Sequence, residues 1–139
     1  EFFLVEKLKF DWDKVHEIAE ELEHISSDEM IHRLDLFLGN PSFDPHGDPI
    51  PDQHGKLPVI NQQNLASIPV KKTVTVSAVG NQTAQMLEML KHYHIALGIR
   101  VTVIKHFEFD GSLQIKVVKQ NPCVISEQVA KNIFVQYDK

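Results

Sequence analysis

The run His16-Glu17-Ile18-Ala19-Glu20-Glu21-Leu22-Glu23-His24 gathers the groups of this sequence best placed to do chemistry. On a helix turning ~100° per residue, His16, Glu20, Glu23 and His24 fall in one stripe about 100° wide. Two imidazoles and two carboxylates then face one direction. Carboxylates on adjoining turns repel unless a counter-charge lies between them, and a divalent cation is the simplest one. Nitrogen and carboxylate ligands suit Mn, Fe, Zn, Co or Ni, and the absence of thiolate tilts the choice toward harder ions such as manganese. The rival reading is a solvated acidic helix, which wins for an isolated His-x-x-x-Glu; four groups on one stripe favour the metal. HEIAE also resembles the HExxH signature of zinc peptidases, but Glu20 stands where the second His belongs and no third ligand follows at the usual distance.

The elements that must position this stripe are helical in the first half. Residues 1–9 carry Phe2, Phe3, Leu4, Val5 and Leu8, the pattern of a helix end. Asp11 is the expected N-cap of a helix over 12–25, whose apolar side holds Trp12, Val15, Ile18, Ala19 and Leu22. Ser26 and Glu29 form a capping box for a third helix through Met30, Ile31, Leu34, Phe37 and Leu38, stopped by Gly39 and Pro41. Residues 40–66 are dense in Pro, Gly and Asp and predict an ordered loop followed by a linker. The expected domains are 1–63 and 64–139.

The second half alternates in the manner of strands over 73–79, 99–107 and 113–118, with Asp110-Gly111 at a hairpin turn. A helix is predicted over 82–93, a short helical turn over 126–131, and a last strand over 133–136. Short strands over so few residues suggest a small barrel. No internal repeat is evident. Cys123, the single cysteine, sits between Pro122 and Val124 and reads as a small core residue; it excludes an intrachain disulfide.

Charge divides the chain the same way. Through residue 63 there are five basic and fourteen acidic residues, and from 64 onward nine basic and five acidic ones. The acidic half is a poor surface for nucleic acid, so this chain is not expected to bind DNA by itself. There is no apolar run of ~18 residues to span a membrane and no secretory leader, which points to a cytoplasmic protein without a membrane partner. A chain opening at Glu1, without Met and already amphipathic, reads as part of a longer polypeptide.

The run VHEIAEELEHISSDEMIHRL and the loop FDPHGDPIP resemble the dimerisation domain of the metal-dependent repressors of the diphtheria toxin repressor family. ALGIRVTVI, FDGSLQIKV and SEQVAKNIFV are similar to the SH3-like domain that these regulators share with ferrous-iron transport protein A. The resemblance implies an α+β protein: a small helical dimerisation domain, then an SH3-like β-barrel. It implies that Glu20, Glu23 and His24 belong to a primary, activating metal site, and Glu1 and His16 to an ancillary one. Gln82 and Gln85 lie nearest the position from which the SH3-like domain of some members donates a ligand. Glu20 stands where iron-responsive members carry Cys, so Mn2+ comes first and Fe2+ second. The remaining ligands, and the contact with operator DNA, are expected from a winged helix-turn-helix domain preceding Glu1.

The other conspicuous residues have plainer readings. His46 and His54 are expected in turns or at the surface, His92 and His94 at a helix end, and His32 and Trp12 in packing. Three short helices cannot enclose Phe2, Phe3, Leu34, Phe37 and Leu38, which predicts a homodimer interface. The expected function is metal-dependent repression and not catalysis. The alternatives are a dimeric interaction module without a regulatory role, and a metallohydrolase with Glu17 or Glu20 as general base.

Overall fold

The computed structural model describes residues 1–24, 28–58 and 63–137. They fall into two compact units, Glu1–Val59 and Ile60–Lys139.

The first unit holds α1 (Phe2–Glu6), α2 (Val15–Glu23) and α3 (Asp28–Phe37), followed by a loop. Asp11 does not cap α2. The chain makes a turn there, with the Lys14 N–H donating to the Asp11 carbonyl at 3.1 Å, and the helix begins at Val15. The delay leaves the Trp12 carbonyl outside the helix, where it accepts a hydrogen bond from His46. Ser26, and with it the expected capping box, lies outside the described residues. At the other end of α3, Gly39 takes φ +79° and donates its N–H to the Leu36 carbonyl at 3.1 Å, closing the helix as expected of a left-handed glycine cap.

Among the described apolar residues of this unit only Leu4 and Val15 are buried, and α3 buries none of its residues. Short helices draw most of their stability from packing an apolar face. This unit leaves that face open, with Ile31 53%, Leu36 56% and Phe37 67% exposed.

The second unit contains β1 (Gln63–Asn64), β2 (Thr73–Val79), α4 (Ala84–His92), β3 (Arg100–His106), β4 (Leu113–Val117), β5 (Cys123–Ile125), α5 (Glu127–Lys131) and β6 (Ile133–Tyr137). Alternation aims Val74, Val76, Val101, Val103, Leu113, Ile115, Ile133 and Val135 at one side of an antiparallel sheet, where Leu87 and Leu90 of α4 join them in the core. Thr83 and Ser126 cap α4 and α5 through their hydroxyls, as helix N-caps should.

The sheet corrects the expectation of a barrel. Its order is β1-β6-β2-β3-β4-β5, with β1 laddered only to β6 and β5 only to β4, so it is an open sheet with two edges. The edge strands have two and three residues, too short to close a ladder across the gap. Register shifts at Val76/Ala78 and Val103/Lys105 bend the strands between them. Among the described residues no helix is long and apolar enough to cross a membrane.

Candidate metal centre

Three elements of the first unit bring one ligand each to a common point. Glu1 precedes α1 in the N-cap position, yet its carboxylate makes no bond to the helix amides. It reaches two imidazoles instead. Oε1 lies 2.7 Å from Nδ1 of His16, on the first turn of α2, and Oε2 lies 3.1 Å from Nδ1 of His46, in the loop. The candidate ligand atoms of Glu1, His16 and His46 all lie within 4.8 Å of one another.

The loop supplies His46 through a built turn. The Asp44 side chain accepts the N–H groups of His46 and Asp48, each at 2.9 Å, and Gly47 follows at φ +87°. Burial pushes the Asp44 carboxyl above its ordinary range even though those N–H bonds favour the ionised form. The His46 ring is fully buried and stacks with the rings of His16 and Trp12 at 4.6 and 5.8 Å between centroids.

The donor set fits a divalent cation. His46 Nε2 lies 2.8 Å from the Trp12 carbonyl oxygen, which can only accept, so that nitrogen carries a proton. With Nε2 so engaged, Nδ1 faces a carboxylate oxygen at 3.1 Å, a pair that either a proton or a metal cation can bridge. A metal bound at ~2.1 Å holds neighbouring ligand atoms about 3 Å apart, the scale of these contacts. Nε2 of His16 is shielded from solvent and has no hydrogen-bond partner among the described residues, a second unsatisfied site at the same cluster. Glu1, His16 and His46 thus form a ligand set for a divalent cation, with Trp12 as the backbone group that orients one of them.

Of the residues expected to ligate, the structure brings Glu1 and His16 together. Glu20, Glu23 and His24 lie exposed on and just after the last turns of α2, and they enter no three-membered ligand cluster among the described residues. Gln82 donates to the Val79 carbonyl at 3.2 Å, and Gln85 is exposed on α4.

His46, expected in a turn or at the surface, is in a turn but belongs to the centre. Its signal in the sequence is Asp-x-His-Gly, which occurs twice: Asp44-Pro45-His46-Gly47 and Asp52-Gln53-His54-Gly55. The structure repeats with it. Asp52 accepts the N–H groups of His54 and Lys56 at 2.8 and 2.9 Å, and Gly55 takes φ +77°. The loop therefore holds an internal repeat of one turn, contrary to the expectation of none. Only the first copy is buried; His54 is exposed on the rim of a cavity of about 630 Å³ that His32 and Asp35 also line.

Comparisons with known proteins agree with this architecture. Residues 1–52 match the model described as "Iron dependent repressor, metal binding and dimerisation domain", and residues 63–137 match the FeoA domain. A manganese-dependent transcriptional repressor in complex with manganese is 35% identical at a TM-score of 0.87, covering 97% of this chain and 64% of its own. Another structure of a manganese-dependent transcriptional repressor is 36% identical at a TM-score of 0.85, covering 97% of this chain and 74% of its own. A probable metal transport system membrane protein of Chlamydia trachomatis serovar D is 41% identical over 56 residues, which are 40% of this chain and 12% of that protein.

A helical metal-binding and dimerisation unit followed by a FeoA-type sheet is the two-part architecture that these family models describe. The chain belongs to the metal-dependent repressors of the diphtheria toxin repressor family. It spans 64% of the length of the first of the two repressors named above.

Proposed function

We propose that this chain is the metal-sensing and dimerisation part of a cytoplasmic transcriptional repressor that responds to manganese, or to ferrous iron, and controls metal homeostasis. The observation that carries the reading is the single carboxylate of Glu1 shared by His16 of α2 and His46 of the loop. A cation held there ties three separate segments of the first unit into one arrangement. Its ligands, two imidazoles and a carboxylate without thiolate, suit manganese and ferrous iron.

Glu20, Glu23 and His24 supply part of a second, activating site that residues outside this chain complete. Metal shared in that way fixes an operator-binding part against the dimer. To move such an equilibrium from mostly off to mostly on, the ion must prefer the competent arrangement by ~10⁴-fold, or about 5.5 kcal/mol. The exposed Ile31, Leu36 and Phe37 on α3 suit a twofold interface with a second copy, which would place two DNA-reading elements on a palindromic operator.

The test is calorimetric titration with Mn2+ beside light scattering. The chain is expected to bind manganese and to scatter as a dimer. Ile31→Asp shifts it toward monomer, weakening association by about 10- to 100-fold for the ~1.5–3 kcal/mol that one buried apolar side chain contributes. A monomer without metal affinity would end this reading.

The chlamydial relative supports a second reading, in which the module is attached to a metal transporter and reports on its cargo. Metal binding and dimerisation would persist there, but no operator would be bound by the longer protein.

A further inference from the structure

We infer that the outward face of the FeoA-type sheet is a contact surface for the phosphate backbone of DNA. The registers define that face. Thr73 pairs with Thr102 and Thr102 with Lys116, so these three stand in one cross-strand row. Gln136, Thr75 and Arg100 stand in the next. Beyond the register shift, Lys105 stands opposite Gln114. The neighbouring positions Val74, Val101, Val103, Ile115 and Val117 are all buried, so the alternation turns this polar set away from the core.

The composition of the face is one-sided. Arg100, Lys105 and Lys116 are exposed there, and no carboxylate stands among its described residues. Among the cations lie the hydroxyl of Thr102 and the amide of Gln114, with Thr73, bonded to Thr102 at 2.8 Å, and Gln136 flanking them on β2 and β6. Diagonal neighbours across two strands stand ~7–8 Å apart, so Lys116 lies at that reach from both Arg100 and Lys105. Cations at this spacing meet successive phosphates of one strand, and hydroxyl and amide donors between them add neutral hydrogen bonds to phosphate oxygens. Such a surface fixes position without reading bases.

The acidic charge that weighs against DNA binding belongs to the other half of the sequence, which holds fourteen of the nineteen acidic residues. The sheet face is locally cationic within a chain of net charge -5, so its contact is weak alone and supplements DNA held by another part of a longer protein. The inference rests on the reading of the chain as part of a DNA-bound regulator. It fails separately from that reading, because manganese uptake and self-association use other residues.

The experiment is a nuclear magnetic resonance titration of this chain with a short duplex of arbitrary sequence at about 50 mM salt, repeated at about 200 mM. Amide shifts are expected at Arg100, Thr102, Lys105, Gln114 and Lys116 at the lower salt and are lost at the higher. The double variant Lys105→Gln/Lys116→Gln removes two exposed charges, and at Lys105 the contact of its ammonium with the Phe107 ring at 5.2 Å. It should weaken binding at least ~10-fold and reduce the slope of log affinity against log salt by about 2. Absent shifts, shifts confined to other surfaces, or binding undiminished in the double variant overturn the inference. So does binding of the same face to phosphatidylglycerol vesicles with none to the duplex, which would make it a membrane contact.

Discussion

His46 donates its Nε2 proton to the carbonyl of Trp12 across 2.8 Å, and this one bond settles what the rest of its ring can do. A backbone carbonyl has no proton to give, so the tautomer is fixed and Nδ1 is left to meet Glu1. The carbonyl is available only because residues 11–14 form a turn before α2 begins.

Glu1→Gln keeps the size of the side chain and removes its charge. Because Glu1 is the group common to both histidines, Mn2+ affinity is expected to fall by more than the roughly 10- to 100-fold that loss of an outer-shell partner costs. Circular dichroism should be unchanged. Acidification should weaken the wild type in the same titration, because each imidazole must shed its proton before it can ligate. Wild-type affinity retained in Glu1→Gln would remove the carboxylate from the site.

The twin turns provide an internal control. Asp44→Ala deprives two N–H groups of their acceptor beside a buried imidazole and should cost about 1–2 kcal/mol together with metal affinity. Asp52→Ala breaks the same two bonds in the exposed copy and should leave manganese titration unchanged. Asp44 has a further signature. Its folded pKa is raised, so the folded state holds the proton more tightly than the unfolded chain. The stability this gives is complete below the ordinary value of 3.8 and is lost as pH rises through the folded pKa. Urea melts of Asp44→Asn, which does not titrate, should lack that loss.

Much of this architecture was legible because periodicity reports burial. The alternation over 73–79 coincides with β2, and Ser126 caps α5 where the sequence placed a helical turn. Closure of the sheet was not legible, since it depends on the lengths of β1 and β5, and two or three residues leave no pattern to read. His46 was missed for a different reason. Its place in the centre depends on a contact with Trp12 across 34 residues, and helical spacing could group only the histidines of α2. His54 in an equivalent turn stays at the surface, so the local motif alone does not separate ligand from bystander.

The Asp110-Gly111 hairpin has the opposite pH behaviour from Asp44. The hydroxyl and N–H of Ser112 bond the Asp110 carboxylate at 2.6 and 2.9 Å and hold its pKa below 3.8. The stabilisation is present above that value and is lost as pH falls through the lowered one. Asp110→Ala should therefore lower the melting temperature at neutral pH, with the difference from wild type shrinking in strong acid. A difference independent of pH would show that the ionised carboxylate is not what holds the turn.

Two glycines separate steric demand from conformational demand. A Cβ at Gly80 would stand 2.8 Å from the Phe134 ring and 3.2 Å from the Asn132 side chain, and the Gly80 N–H donates to the Asn132 carbonyl at 2.8 Å, so the backbone cannot drift away. Gly80→Ala must push Phe134 aside on the outward side of β6, at a cost of about 1–3 kcal/mol. Gly98 has open space around its Cβ position but a φ of +83°. Gly98→Ala therefore loses only the left-handed preference, about 1–2 kcal/mol, and Gly98→Asn, which tolerates that conformation better, should recover part of it. The same rescue at position 80 should fail, since Asn is larger than Ala and φ is not the constraint there. Equal recovery by Asn at both positions in thermal melts would mean that the close approach to Phe134 is not what Gly80 serves.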